Sequence, residues 1–302
     1  MNKSKFFNKF LKKINTSINS QLEKNLNRLK FNNLITLAKS NKIILTFVAL
    51  FVLFVSYLLM PAFYKQSEIS RELKADLLEK FNLEFQFSKD LNYNFFPRPH
   101  FTILNASIFD GKNEISKIDN LKIFISFHNL FSIKNLKVKN VILKNANFDL
   151  NSKNYNFFLD LMNKNFQNGK IIIKDSNIFF RNIDGEVLFI NKIFYMKYYY
   201  ELKELKNILY SENEIFNTPF SVKSYFGEEK NKLFSLINLK LMKLKIENEL
   251  KIENDKKNGK SQFISNKSKR IVEYQIKQNY FNFHLFDKID QPDVTYKGKF
   301  NF

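Results

Sequence analysis

The hydrophobic and polar positions change period three times along the chain. From Ile43 to Phe63 the sequence reads IILTFVALFVLFVSYLLMPAF, 21 residues with no charge. As a helix these would rise about 32 Å, against a bilayer hydrocarbon core of about 30 Å. A cleaved signal peptide has a shorter apolar run, about 7–15 residues, and a small-x-small site that Met60-Pro61-Ala62-Phe63 does not offer. A buried core helix would carry a polar stripe, which is missing. The run is therefore expected to be a membrane anchor, marked by Ile43, Phe47, Leu50, Phe54, Leu58 and Phe63.

Directly after it, Ile69, Leu73, Leu77 and Phe81 recur every four residues, which predicts a helix over SEISRELKADLLEKF with Ser67 as N-cap. From Leu83 the period falls to two. Phe85 and Phe87 alternate with polar residues, as do Leu121, Ile123, Ile125 and Phe127 in LKIFISF. Further strands are expected at Leu136–Asn140, Val141–Leu150, Lys170–Arg181, Glu186–Tyr200, Phe220–Phe226, Lys232–Glu249, Gln262–Ser265, Arg270–Gln278, Phe281–Phe286 and Val294–Phe302. Asn168-Gly169, Asp184-Gly185 and Asn258-Gly259 have hairpin-turn chemistry. Beyond the anchor and this helix, helices are expected at Tyr155–Asn165 and Glu201–Ser211. The fold class is mainly β and mostly antiparallel, hung from a transmembrane helix. Three segments follow: a basic arm (1–42), the apolar helix (43–63) and a β domain (64–302).

Charge adds orientation. The arm holds ten Lys/Arg against one acidic residue, Glu23, whereas charges cancel over Tyr64–Asn82. Lys and Arg are retained on the cytoplasmic side. The arm is thus expected in the cytoplasm and the β domain across the bacterial inner membrane, in the periplasm. Phe7, Leu11, Ile14, Ile18, Leu22, Leu26 and Leu29 also give the arm a helical period. It reads either as a helix on an anionic membrane surface or as a partly ordered tail. The net charge of +20 does not point to nucleic acid, because the lysines are scattered among apolar positions rather than clustered.

Candidate chemistry is thin. The chain has no cysteine, and His100, His128 and His284 are isolated and lack metal-ligand spacing. Nucleophile-elbow, phosphate-loop and zinc-protease motifs do not occur. Glu228-Glu229 and Asp287/Asp290 sit in turn-like contexts. No enzyme activity, cofactor or metal is expected.

The stretch NFFPRPHFTILNASIFDG, Asn94–Gly111, is more informative. Proline cannot donate to a ladder, so Pro97 and Pro99 must separate a strand ending near Phe96 from one starting near Phe101. The order is apolar anchor, helix, strand, FFPRPHF, then Ile103-Leu104-Asn105-Ala106-Ser107. The strand Ile115–Phe127, the corner Asn129-Leu130-Phe131-Ser132 and the strand pair Ile133–Leu150, bent at Val138-Lys139-Asn140-Val141, follow. This resembles the N-terminal region of the AsmA family, bacterial envelope proteins related to bridge-like lipid transfer proteins. The likeness covers residues 43–150 and is loose over 170–302; the glycine usual at the helix end is replaced by Phe81-Asn82. The resemblance implies an elongated, open β-groove with one apolar face. Phe85, Phe87, Phe101, Ile103, Leu121, Ile123, Ile125 and Phe127 would then lie on the lipid-facing or core side. It further implies phospholipid transfer or outer-membrane lipid homeostasis, with membrane phospholipids as partners. An assembly scaffold that supports outer-membrane proteins, with other envelope proteins as partners, is the alternative; a membrane-anchored hydrolase is a third reading. The ending YKGKFNF, itself strand-like, fits either a short family member or a piece of a longer one.

Overall fold

The computed structural model describes residues 42–301, except 88–89, 129, 152–153, 164–168, 183, 230, 254–255, 267, 278–279 and 288–294. Residues 1–41 of the basic arm, the turn residue Asn168, the corner residue Asn129, and Asp290, Val294 and Phe302 thus lie outside the described residues. The chain divides into two units, Met1–Leu59 and Met60–Phe302. The first holds helix α1 (Lys42–Leu59) and the second begins with a short 3-10 turn (Met60–Phe63); together these 22 residues are long and apolar enough to cross a membrane. Ile43, Phe47, Leu50, Phe54 and Phe63 are exposed, as an anchor requires, while Leu58 is buried.

After that turn, the described residues of the second unit form helix α2 (Gln66–Phe81) and then fifteen strands in one sheet. These are β1 (Glu84–Gln86), β2 (Asn92–Asn94), β3 (His100–Asp110), β4 (Asn113–Ile125), β5 (Val138–Leu150), β6 (Lys170–Arg181), β7 (Val187–Glu201), β8 (Lys206–Ile215), β9 (Thr218–Phe226), β10 (Lys232–Leu239), β11 (Leu244–Glu253), β12 (Lys256–Ile264), β13 (Lys269–Lys277), β14 (Tyr280–Asp287) and β15 (Thr295–Asn301). From β3 to β15 each strand pairs with the next in sequence; β1 and β2 both pair with β3. Every pairing is antiparallel except β5–β6, whose parallel crossover carries helix α3 (Tyr155–Asn163). Parallel neighbours need such a crossover, because a tight hairpin cannot return the chain in the same direction. The sheet is open: β1 and β15 end the strand order.

A repeated irregularity keeps one face apolar. Asn105, Asn145 and Asp175 have positive φ of 55°, 53° and 49°. They occupy the same place in Ile103-Leu104-Asn105-Ala106, Leu143-Lys144-Asn145-Ala146 and Ile173-Lys174-Asp175-Ser176, on β3, β5 and β6. Asn and Asp tolerate the left-handed conformation. Strict alternation after Ile103 would turn Asn105 and Ser107 inward; instead the parity resets, and Ala106 and Ile108 are buried with Phe101 and Ile103. β5 does the same with Val141 and Leu143, then Ala146 and Phe148. This apolar face is called the inner face below.

Over β1–β5 the inner face is covered. Ile69, Leu73, Leu77 and Phe81 of α2 and Ile103, Ile118, Leu121, Ile123 and Val141 of the sheet are all within 2% of full burial. Asp76 and Lys80, one turn apart, fasten the helix to the sheet. The Asp76 carboxylate accepts the Val138 backbone N–H at 2.6 Å and the Lys137 ammonium at 3.1 Å, while Lys80 donates to the Val138 carbonyl at 2.6 Å. The helix side chains thus satisfy both backbone groups that open β5. Burial pushes the Lys80 ammonium below its ordinary value, Asp76 opposing; the hydrogen bond to Asp76 raises Lys137.

Several expectations are corrected. Lys65, not Ser67, occupies the N-cap, in extended conformation, and the helix starts at Gln66. Asn82 at φ 56° supplies the left-handed C-cap that glycine usually gives. Leu136–Leu150 forms one strand from Val138, not a bent pair, because Val138–Phe148 pairs along β4. Glu201–Ser211 is a turn and the start of β8, not a helix. Lys232–Glu249 is a hairpin, turned at Lys240–Lys243 with Lys243 at φ 49°. Asn258-Gly259 lies inside β12. Pro97 and Pro99 separate β2 from β3 as expected.

Candidate functional site

The cross-strand registers carry the inner face through the rest of the sheet. One row runs Val222, Ile237, Ile246, Phe263 across β9–β12. A second runs Phe226, Leu233, Leu250, Gly259, Tyr274, Phe283 across β9–β14. Helix α3 packs on β8 and β9, and Tyr198 of β7 donates its hydroxyl to the Met162 carbonyl of that helix. Beyond it, the inner-face side chains Leu233, Ile237, Ile246, Leu250, Phe263, Val272 and Tyr274 are only half-buried. The apolar floor that α2 covers over β1–β5 is therefore open over β10–β13.

Between the two apolar rows lies a polar one. Ser224, Ser235, Asn248 and Ser261 are directly opposite one another on β9–β12. Ser224 donates to Ser235 at 2.8 Å; Ser261 and Tyr274 both donate to the Asn248 side-chain oxygen at 2.7 Å. On β8, Asn213 donates to Ser211 at 2.7 Å, and both are buried. Small polar groups that hydrogen-bond one another can occupy an apolar floor without bare donors. Burial raises the Tyr274 phenol above its ordinary value, partly offset by its bonds to Asn248 and Ser261.

Glycine makes room for the aromatic rings on this floor. At Gly259 an added Cβ would stand 2.0 Å from Cζ of Tyr274, which pairs directly across. Gly298 bears the same relation to Phe283, at 2.1 Å from Cε1. Each ring therefore lies over a neighbouring backbone and widens the apolar floor.

The opposite face mixes paired charges with apolar side chains such as Phe234, Leu236 and Ile271. Lys232–Glu249, Lys245–Glu247 and Lys260–Glu273 form ion pairs at 3.7, 2.6 and 3.1 Å, all substantially exposed. Such pairs add little stability. Among the described residues, no three His, Cys, Asp or Glu side chains come together to hold a metal.

The sequence-assigned groove residues fall elsewhere. Phe85, Phe87, Phe101, Ile103, Leu121, Ile123 and Ile125 are at most 9% exposed, in the core that α2 closes. The alternation was read correctly, but a covering helix makes that stretch of the face an interior. Phe127 is not part of the set: β4 ends at Ile125, and Phe127 is 44% exposed in the loop beyond. The open floor over β10–β13 lies outside the residues that the sequence assigns to a groove. Its signal in the sequence is a Ser, Asn or Gly at the apolar parity of successive strands, in FSVKSYF, KLFSLINL, LKIENELKI and GKSQF.

A scan against protein-family models found no match, and no curated protein matches the chain.

Proposed function

We propose that this protein is a membrane-anchored carrier of phospholipid acyl chains, of the AsmA type, acting in lipid transfer or lipid homeostasis of the bacterial envelope. Helix α1 is a single-pass anchor in the inner membrane, the basic arm is cytoplasmic, and the sheet stands in the periplasm. The observation that carries the reading is the uncovered pair of apolar rows on β10–β13. Rows run across the strands, so an acyl chain lying along one meets a new side chain about every 4.8 Å. Holding it requires only area burial, at about 25 cal/mol per Å². The headgroup stays in water, and no bond is made or broken.

The AsmA resemblance in residues 43–150 supports the same reading. The alternative, a non-enzymatic assembly scaffold, draws on the covered core over β1–β5, where the face is filled by α2 and needs no lipid. Mass spectrometry of lipid retained by the gently extracted full chain separates the two. The carrier retains phospholipid beyond that held by α1, and Ile237→Asp with Leu250→Asp removes the excess while the β-sheet circular-dichroism spectrum persists. Equal lipid in both proteins would contradict the carrier.

A further inference from the structure

One end of the sheet concentrates exposed phenylalanines. Phe63 is 80% exposed, Phe96 78%, Phe131 64%, Phe127 44% and Phe95 41%. Backbone and side-chain hydrogen bonds tie their segments together. Tyr64, next to Phe63, donates its hydroxyl to the Leu130 carbonyl at 2.7 Å, beside Phe131. Ser126, next to Phe127, donates its N–H to the Lys137 carbonyl at 2.8 Å, across the corner. Ile125 donates to the Pro99 carbonyl at 3.1 Å, which closes the 95–99 loop onto the same end. The two connecting segments, 95–99 and 126–136, contain Arg98 and Lys134 and no Asp or Glu; Lys137, which follows, is already paired with Asp76.

Chain continuity says what faces this rim. Phe63 ends the apolar 22-residue run, so it leaves the bilayer at the interface if that run spans it. Tyr64 then holds the Leu130 corner within one side chain of that exit. We propose that the rim formed by Phe95, Phe96, Phe127 and Phe131 seats in the headgroup region of the anionic bilayer that α1 spans. Aromatic rings enter the headgroup–acyl boundary and cationic side chains meet anionic lipid there. The inference rests on the membrane-spanning reading of α1, but not on lipid carriage by the sheet.

The chain has no cysteine, so single-cysteine variants label uniquely. The full chain is reconstituted in vesicles of phosphatidylcholine and phosphatidylglycerol, with a fluorophore at Phe63→Cys, Phe96→Cys, Phe131→Cys or Phe216→Cys. Phe216 is also 80% exposed, at the opposite ends of the strands. Spin-labelled lipids should quench positions 63, 96 and 131 several-fold more than 216. Quenching at 63 with 96 and 131 no higher than 216 overturns the rim while leaving the anchor. Loss of quenching at 63 as well overturns both. Neither result bears on lipid retention by Ile237 and Leu250, which is measured separately.

Discussion

Asn248 is the residue on which the polar row turns. Its side-chain oxygen accepts from Ser261 and from Tyr274, both at 2.7 Å. Asn248→Ala strands two hydroxyls on a half-buried apolar floor, at about 1–3 kcal/mol for an unmet polar group. Chemical denaturation should show a loss in that range; a change near zero would mean that water replaces the acceptor. Tyrosines are expected to set the alkaline limit. Burial pushes Tyr93 up to about 12 and raises Tyr198 and Tyr274 too. The folded state thus prefers the neutral phenol, so this stability is complete below the unfolded value of about 10 and is lost as pH climbs through the folded values. Tm should fall between about pH 10 and about pH 12, and Tyr93→Phe with Tyr198→Phe should flatten the decline; an unchanged slope in the double variant would remove tyrosine as the cause. At this scale the sequence showed the inward parity of Leu121, Ile123 and Ile125 but not the role of Gly259. Asn-Gly is turn chemistry by itself, and only the Tyr274 ring across the ladder makes glycine necessary within a strand.

Helix α2 decides which part of the inner face is closed. Asp76→Ala removes the acceptor for the Val138 N–H and the partner of Lys137. We expect a loss of about 1–3 kcal/mol and faster hydrogen exchange at Val138, whereas Asp76→Asn keeps one acceptor and loses less. Unaltered exchange at Val138 in the alanine variant would show that the clamp does not hold the strand. The helix itself was legible, because Ile69, Leu73, Leu77 and Phe81 mark one face. Its clamp was not, since an Asp and a Lys four apart also describe an ordinary solvated pair. Hairpins without glycine were the main source of misreading. Leu205, Phe216, Asn217 and Lys243 take positive φ in the turns, so neither the break after β7 nor the one after β10 carries a turn signature. Leu202 and Leu205, spaced like a helical face, are exposed in such a turn.

Across the whole sheet, the three left-handed Asn/Asp positions and the sequential pairing keep one apolar face continuous from β3 onward. Part of this was legible: period-two runs gave the strands, but the parity reset at Asn105, and its recurrence at Asn145 and Asp175, shows only in the left-handed backbone that those residues adopt. Which stretch of face is open could not be read locally, because closure depends on a helix whose bonds to the sheet reach as far as 62 residues along the chain. The most direct test of the lipid-carrying account is photo-crosslinking in living cells. A photoreactive side chain at Ile237 or Ile246, neighbours on the open floor, should capture phospholipid, whereas one at Glu247 on the opposite face or at Leu121 in the closed core should not. Capture of protein alone at Ile237 and Ile246, or equal lipid capture at all four positions, would contradict it.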